Sequence, residues 1–265
     1  MSKIIPTLFI LLFICSIGCD TSESTGSSNG GDSDTLFTRT TCDDGAEIQR
    51  GEFILSNNMW GKGDVTGFEQ CITIIELRNG IQFGWEWNWP DDGSNDVKAY
   101  PEIIYGWKPW SLQSTSPELP IRLEAMDSVV VSFRLQRSFI YGVGNLAFDL
   151  WITSSGQPNT SNIKHEIMIW LERSSFRPGG SKKGTVTIDG HTYDFYKADW
   201  DWTYLAFDKT SPEVTERVNV GAFLGYLVAQ NHISADEYVA SIEFGNEIVS
   251  GAGETLIHDY TIHIE

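Results

Sequence analysis

The chain has 265 residues, with 18 Lys plus Arg against 36 Asp plus Glu and a formal net charge of −18. Such an acidic balance excludes nucleic acid as a partner, because counterion-release binding needs clustered cations. Hydrophobic residues make up 41% and there are 10 Trp and 14 Phe, too many for a disordered chain and ample for a packed core.

Residues 1–18 carry one cation, Lys3, then an apolar run from Leu8 to Ile14 and small residues before Cys19. This is the layout of an export signal, and the run is too short to span a membrane. Because Cys19 follows Ser16-Ile17-Gly18, the segment resembles a lipoprotein signal that leaves Cys19 as a lipidated N-terminus; an ordinary secretion signal is the alternative. Residues 19–38 are polar and rich in Gly and Ser, the composition of a flexible tether, and 39–265 reads as one domain. Export implies an oxidising compartment, and Cys15 leaves with the signal. A disulfide between Cys42 and Cys71 is therefore expected.

Past residue 38, short runs of Val, Ile, Thr and aromatics alternate with Gly, Pro, Asn and Asp, which is an all-β rhythm. Strands are predicted over 52–57, 71–78, 82–87, 127–135, 145–152, 166–171, 184–188, 191–196, 203–208, 238–244 and 254–264. So many strands in one domain imply two stacked antiparallel sheets. One helix is predicted over 220–230, where Ala222, Phe223, Tyr226, Leu227 and Gln230 recur at helical spacing and Asn219 can cap, packed outside one sheet.

In His165-Glu166-Ile167-Met168-Ile169-Trp170-Leu171 the strand period of two puts Ile167, Ile169 and Leu171 on a core face and Glu166, Met168 and Trp170 on the other. A carboxylate, a thioether and an indole suit a cleft in which a sugar stacks on Trp170 while Glu166 reaches a reacting carbon. The start of a zinc-protease HExxH signature fails here, since Ile169 stands where the second His belongs. Asp149 shares a face with Trp151 and lies about one hairpin before Glu166, placed to share a proton with it or simply to face solvent. Glu247, near the C-terminal strands, completes a possible pair for glycoside hydrolysis, which needs two carboxyl groups across the scissile bond. Stacking platforms are supplied by Trp85, Trp87 and Trp89, by Asn57-Asn58-Met59-Trp60, by Trp200 and Trp202, and by Trp107 and Trp110; Trp85, Trp87 and Trp202 fit a core role equally well.

These segments together resemble glycoside hydrolase family 12. The resemblance rests on Cys42 with Cys71, Asn57–Gly61, Asn95–Pro101, Leu119-Pro120-Ile121-Arg122, Phe148–Trp151, Glu166–Trp170, Arg177–Gly180, Ala198–Trp202 and Glu247 before Gly251-Ala252-Gly253. It implies a β-jelly roll and an endo-acting, retaining hydrolase of β-1,4-glucan chains, whether cellulose-like, mixed-linkage or xyloglucan. Carried over, it implies Glu166 as nucleophile, Glu247 as acid/base and Asp149 hydrogen-bonded near Glu166. It further implies Asn58, Trp60, Met168, Trp170 and Trp151 along the substrate, with Pro178 in a strap across the cleft. No metal or cofactor is implied, His258 and His263 read as ordinary strand residues, and a monomer is expected. Two departures stand out: Val249 replaces an aromatic two residues after Glu247, and the 107–110 loop carries Trp107 and Trp110 where some members have cysteines. A non-catalytic carbohydrate-binding lipoprotein of the same fold is the rival reading, and a structural envelope protein a distant third. A bell-shaped pH–rate profile is expected, with Glu166 ionised while Glu247 is protonated.

Overall fold

The computed structural model describes residues 34–211 and 213–265, so the expected export signal, Cys19 and most of the tether lie outside the described residues. In chain order the elements are β1 (Thr35–Thr41), β2 (Glu47–Arg50), β3 (Phe53–Ser56), β4 (Glu69–Leu77), β5 (Gly80–Trp89), β6 (Glu102–Gly106), β7 (Ile121–Arg122) and β8 (Val129–Thr153). There follow β9 (Ile163–Arg173), β10 (Ser181–Ile188), β11 (His191–Asp199), β12 (Thr203–Lys209), β13 (Arg217–Asn219), α1 (Val220–Ala229), β14 (Tyr238–Gly245) and β15 (Ile248–Ile264).

One sheet runs β1-β4-β5-β15-β8, with β13 on the far side of β8. The second runs β2-β3-β6-β14-β8 and continues through β9, β12, β11 and β10. Pairing is antiparallel except between β12 and β9, which are parallel. The long strand β8 belongs to both sheets: its first part pairs with β15, its last with β14 and β9. Where it crosses from one to the other, Gly142 (φ +129°) lies opposite Gly251 (φ +99°), and a Cβ on Gly142 would sit 2.6 Å from the Gly251 Cα. Two strands turn together at this corner because neither carries a side chain.

The shared interior is built by alternation. Ile167, Ile169 and Leu171 of β9, Phe148 and Leu150 of β8, and Ile242 and Phe244 of β14 are all at 0% exposure. Phe148 and Phe244, paired across the ladder, stack with ring centres 4.4 Å apart. Trp85 and Trp89 are core residues with polar partners: their indole N–H groups donate to Asn246 (2.8 Å) and Gln70 (2.9 Å), and Trp87 is buried beside them. Helix α1 is capped by Asn219, whose Oδ1 accepts from the Ala222 N–H at 3.1 Å. The helix flanks the sandwich, with Phe223 packed on Tyr193 and Phe207 and Leu227 buried in the same core.

Cys42 and Cys71 form the expected disulfide, tying the end of β1 to β4. Strand β1 starts at Thr35, inside the stretch expected to be tether. Its side chains are mostly exposed, so it is held by the backbone ladder to β4 and by Arg50 lying over the Phe37 ring, neither of which leaves a hydrophobic pattern.

Candidate active site

The outer face of the second sheet carries the other half of each alternation. Register places Glu166, Met168 and Trp170 of β9 beside Trp151, Asp149 and Ala147 of β8. On the far side of β8, Ser241 and Glu243 of β14 lie beside Trp151 and Asp149. The face is therefore a band of carboxyl groups among aromatics, rimmed by the exposed rings of Trp60 (69%), Trp110 (52%) and Trp200 (58%).

Glu166 is held by Trp202, whose Nε1 donates to Oε2 at 2.6 Å. Trp202 thus belongs to the site and not to the core. Glu247 is held by Asn145: the amide Nδ2 donates to the carboxylate at 2.5 Å, while Asn145 Oδ1 accepts from the Glu247 backbone N–H at 2.9 Å. Asn145 is fixed from behind by Asn246, which donates to its carbonyl at 2.6 Å and accepts from Trp85 and Thr255 of the first sheet. This support was not anticipated, although Asn145 shares the strand face of Asp149 at a spacing of four and could have been found by that periodicity.

Burial pushes the Glu166 carboxyl up to about 7, with the Trp202 hydrogen bond pulling the other way and the Glu243 charge adding to the rise. Glu247 is pushed to about 8 by burial and then by the charge of Glu166, against the Asn145 hydrogen bond. Asp149 is raised well above the carboxylate range, first by burial and then by Glu166. Its Oδ1 is buried without a partner, and among the described residues no hydrogen bond joins it to Glu166. The expected contact between the two is therefore one of charge.

Three expected subsite residues are corrected by burial. Met168 and Trp170 are 2% and 1% exposed, packed with Ala147, Tyr196, Tyr204 and Ala206 in a second apolar cluster. Phe176 stacks on Trp170 at 4.9 Å, and Met168 Sδ accepts from Tyr204 and Trp170. They form a floor beneath the site, not stacking surfaces. Pro178 is buried too, and the ring of Trp200 covers the adjacent Gly179, where a Cβ would meet it at 2.6 Å. Asn58 is half-buried and donates to Glu102 at 2.9 Å, with Trp60 exposed two residues on. Trp151 is 6% exposed, edge-packed by Trp110 and Trp202, with its indole N–H unpartnered.

A half-buried cation went unpredicted. Lys108 Nζ donates to Glu102 at 2.8 Å and to Glu243 at 2.7 Å, both carboxylates being fully buried. The lone acid in the apolar run of β14 was its only sequence signal. Among the described residues, no group of three or more His, Cys, Asp or Glu is arranged to hold a metal ion.

Two carboxyl groups raised above the ordinary range by burial, each oriented by one side-chain donor on a sheet face rimmed with exposed indoles, define the site of a glycoside hydrolase. Comparison with known proteins agrees. The chain is 29% identical to Endoglucanase S of Pectobacterium parmentieri over 273 aligned positions, covering 99% of this chain and 95% of that one. It is 28% identical to the xyloglucan-specific endo-beta-1,4-glucanase A of Aspergillus niger, covering 81% and 86%. The family 12 xyloglucanase from Bacillus licheniformis superposes with a TM-score of 0.77 at 28% identity, over 86% of this chain and all of that one. Residues 51–265 match the model of glycosyl hydrolase family 12, and the chain belongs to that family.

Proposed function

We propose that this protein is an endo-acting, retaining hydrolase of β-1,4-glucan chains, with Glu166 as nucleophile and Glu247 as acid/base. The observation that carries the assignment is the placement of the two carboxyls: Glu166 on β9, bonded by Trp202, and Glu247 after β14, gripped at two points by Asn145, are each held by their own donor, and burial raises both above the ordinary carboxylate range. In the first step the Glu166 carboxylate attacks the anomeric carbon, Glu247 gives its proton to the glycosidic oxygen, and the sugar–oxygen bond breaks. In the second, Glu247 takes a proton from water, the hydroxide oxygen bonds to the anomeric carbon, and the Glu166 ester bond breaks, which retains configuration. Asp149 lies buried between the strands of Glu166 and Glu243, where burial and the Glu166 charge favour its protonated form and so limit the negative charge on the face.

Unbranched or mixed-linkage β-glucan is the proposed substrate, the first relative named being an endoglucanase. Xyloglucan is the second reading, favoured by the relatives from Aspergillus niger and Bacillus licheniformis. The protein is further proposed to act as an exported monomer, anchored to the cell envelope through a lipid on Cys19. The test is release of reducing ends from a soluble cellulose derivative, mixed-linkage β-glucan and xyloglucan side by side, with Glu166→Gln and Glu247→Gln as controls. Rapid viscosity loss that vanishes in both variants is expected. Retained polysaccharide binding without release from any polymer would support the binding-lipoprotein reading instead.

A further inference from the structure

We propose that Trp110 is a sugar-contacting residue on the Glu166 side of the site and that Lys108 is the positioning residue that holds it there. The inference rests on the glucan-hydrolase reading above. The loop that carries both leaves β6 at Gly106 (φ +99°), where a Cβ would meet the Ala240 carbonyl at 2.6 Å, so only glycine permits this exit. Its base is closed by Thr115, which donates its N–H to the Gly106 carbonyl (2.9 Å), and by Trp107, which donates to Ala240 (2.7 Å).

From this loop Lys108 turns inward to bridge Glu102 of β6 and Glu243 of β14. The bridge has support on its flanks: Asn58 also donates to Glu102, at the oxygen Lys108 uses, and Ser241 donates to Glu243 at 3.0 Å, while the other Glu102 oxygen is buried without a partner. Burying a cation between two carboxylates is a poor route to stability compared with apolar packing, but it fixes where the loop must sit. Pro109 then restricts the backbone, and Trp110 is delivered against Trp151 (4.7 Å) and Trp202 (6.2 Å), meeting both edge-on at 76°. Trp202 is the residue bonded to Glu166.

Trp110 keeps 52% of its surface exposed in this place, whereas neighbouring Trp151 is nearly covered and its N–H has no partner. An exposed indole face beside a reactive carboxyl offers a stacking surface to a pyranose ring. Charge adds a separate signature for Lys108. The ionisable groups that face it are Glu102 from β6, Glu243 from β14, Asp149 from β8 and Glu166 from β9, with Tyr100 beside them. Lys108 is the cation among them, and it favours ionisation of Glu166.

The experiment measures KM and the pH dependence of kcat/KM on the polymer the parent cleaves best. Trp110→Ala is expected to raise KM about tenfold without moving the acid limb, and Trp110→Phe to recover most of the loss. Lys108→Met is expected to raise KM similarly and also to move the acid limb to higher pH. The double variant of Trp110→Ala with Lys108→Met should raise KM no further than Trp110→Ala alone. If Lys108→Met fails to fold, Lys108→Arg tests the same point, with a KM between parent and Trp110→Ala. An active parent whose KM ignores Trp110→Ala, or two effects on KM that simply multiply, would overturn the inference alone. A parent inactive on every β-1,4-glucan would overturn the functional reading and this inference with it.

Discussion

Asn145 grips Glu247 at two points, donating from Nδ2 to the carboxylate and accepting the backbone N–H of the same residue at Oδ1. The Glu247 carboxyl is thereby fixed in direction as well as in proton affinity. Because an N–H donor favours the ionised form, Asn145 holds Glu247 below where burial alone would put it.

Replacing Asn145 by Ala should therefore raise the Glu247 pKa further. Glu247 then stays protonated to higher pH, and the alkaline limb of kcat/KM moves up by about one pH unit. The rate at the optimum should fall at least about tenfold, because the freed side chain loses its orientation. Initial rates from pH 4 to 10 on the preferred glucan check both.

Trp202→Phe should act on the other limb. Loss of the indole N–H removes the hydrogen bond that favours ionised Glu166, so its pKa rises above about 7 and the acid limb shifts upward, again by about one unit. Phe retains a ring against Trp151, which limits the packing loss. A shift of the alkaline limb instead would mean that the two glutamates have exchanged roles.

The same burial that tunes the site weakens the fold at high pH. A carboxyl whose folded pKa lies above its unfolded value contributes its stability below the unfolded pKa and loses it as pH rises through the folded one. For Glu247 that window runs from 4.5 up to about 8. Glu247→Gln, which cannot ionise, should match the parent near pH 4 and exceed it at pH 9 by on the order of a few kcal/mol, or roughly 5 °C and more in Tm. Calorimetric scans at the two pH values make the comparison.

The Cys42–Cys71 bond closes a loop of 29 residues and secures the edge strand β1. Loop closure of that length is worth roughly 3–4 kcal/mol, so Cys42→Ser should lower Tm by about 10 °C. Activity below the transition should persist, since the bond lies in the first sheet and the carboxyls face out of the second.

Much of this structure is legible in the residues, and the failures have physical causes. Strand β9 shows its two faces openly because one is wholly aliphatic and the other holds Glu166, Met168 and Trp170. The same alternation misleads about Met168 and Trp170: being off the core face does not mean being exposed, since β12 and the 176–180 turn cover them. Strand β6 escapes notice because both of its faces are buried, Glu102 and Ile104 on one side and Ile103 and Tyr105 on the other, so no alternation appears. Strand β8 reads as two strands split by Gly142 and Gly144, whereas those glycines bend one continuous strand between sheets. The Glu102–Lys108–Glu243 bridge joins one loop and two strands far apart in the chain, and no spacing within the sequence announces it.

As the proposed nucleophile, Glu166 becomes covalently bonded to the sugar during turnover. Incubation with a 2-deoxy-2-fluoro cellobiosyl fluoride, which slows breakdown of a glycosyl ester, followed by proteolysis and mass spectrometry of the peptides, tests it most directly. A stable adduct on the peptide containing Glu166, absent from Glu166→Gln, is the predicted result. A label on Glu247, or an active enzyme that inverts configuration and never becomes labelled, would contradict it.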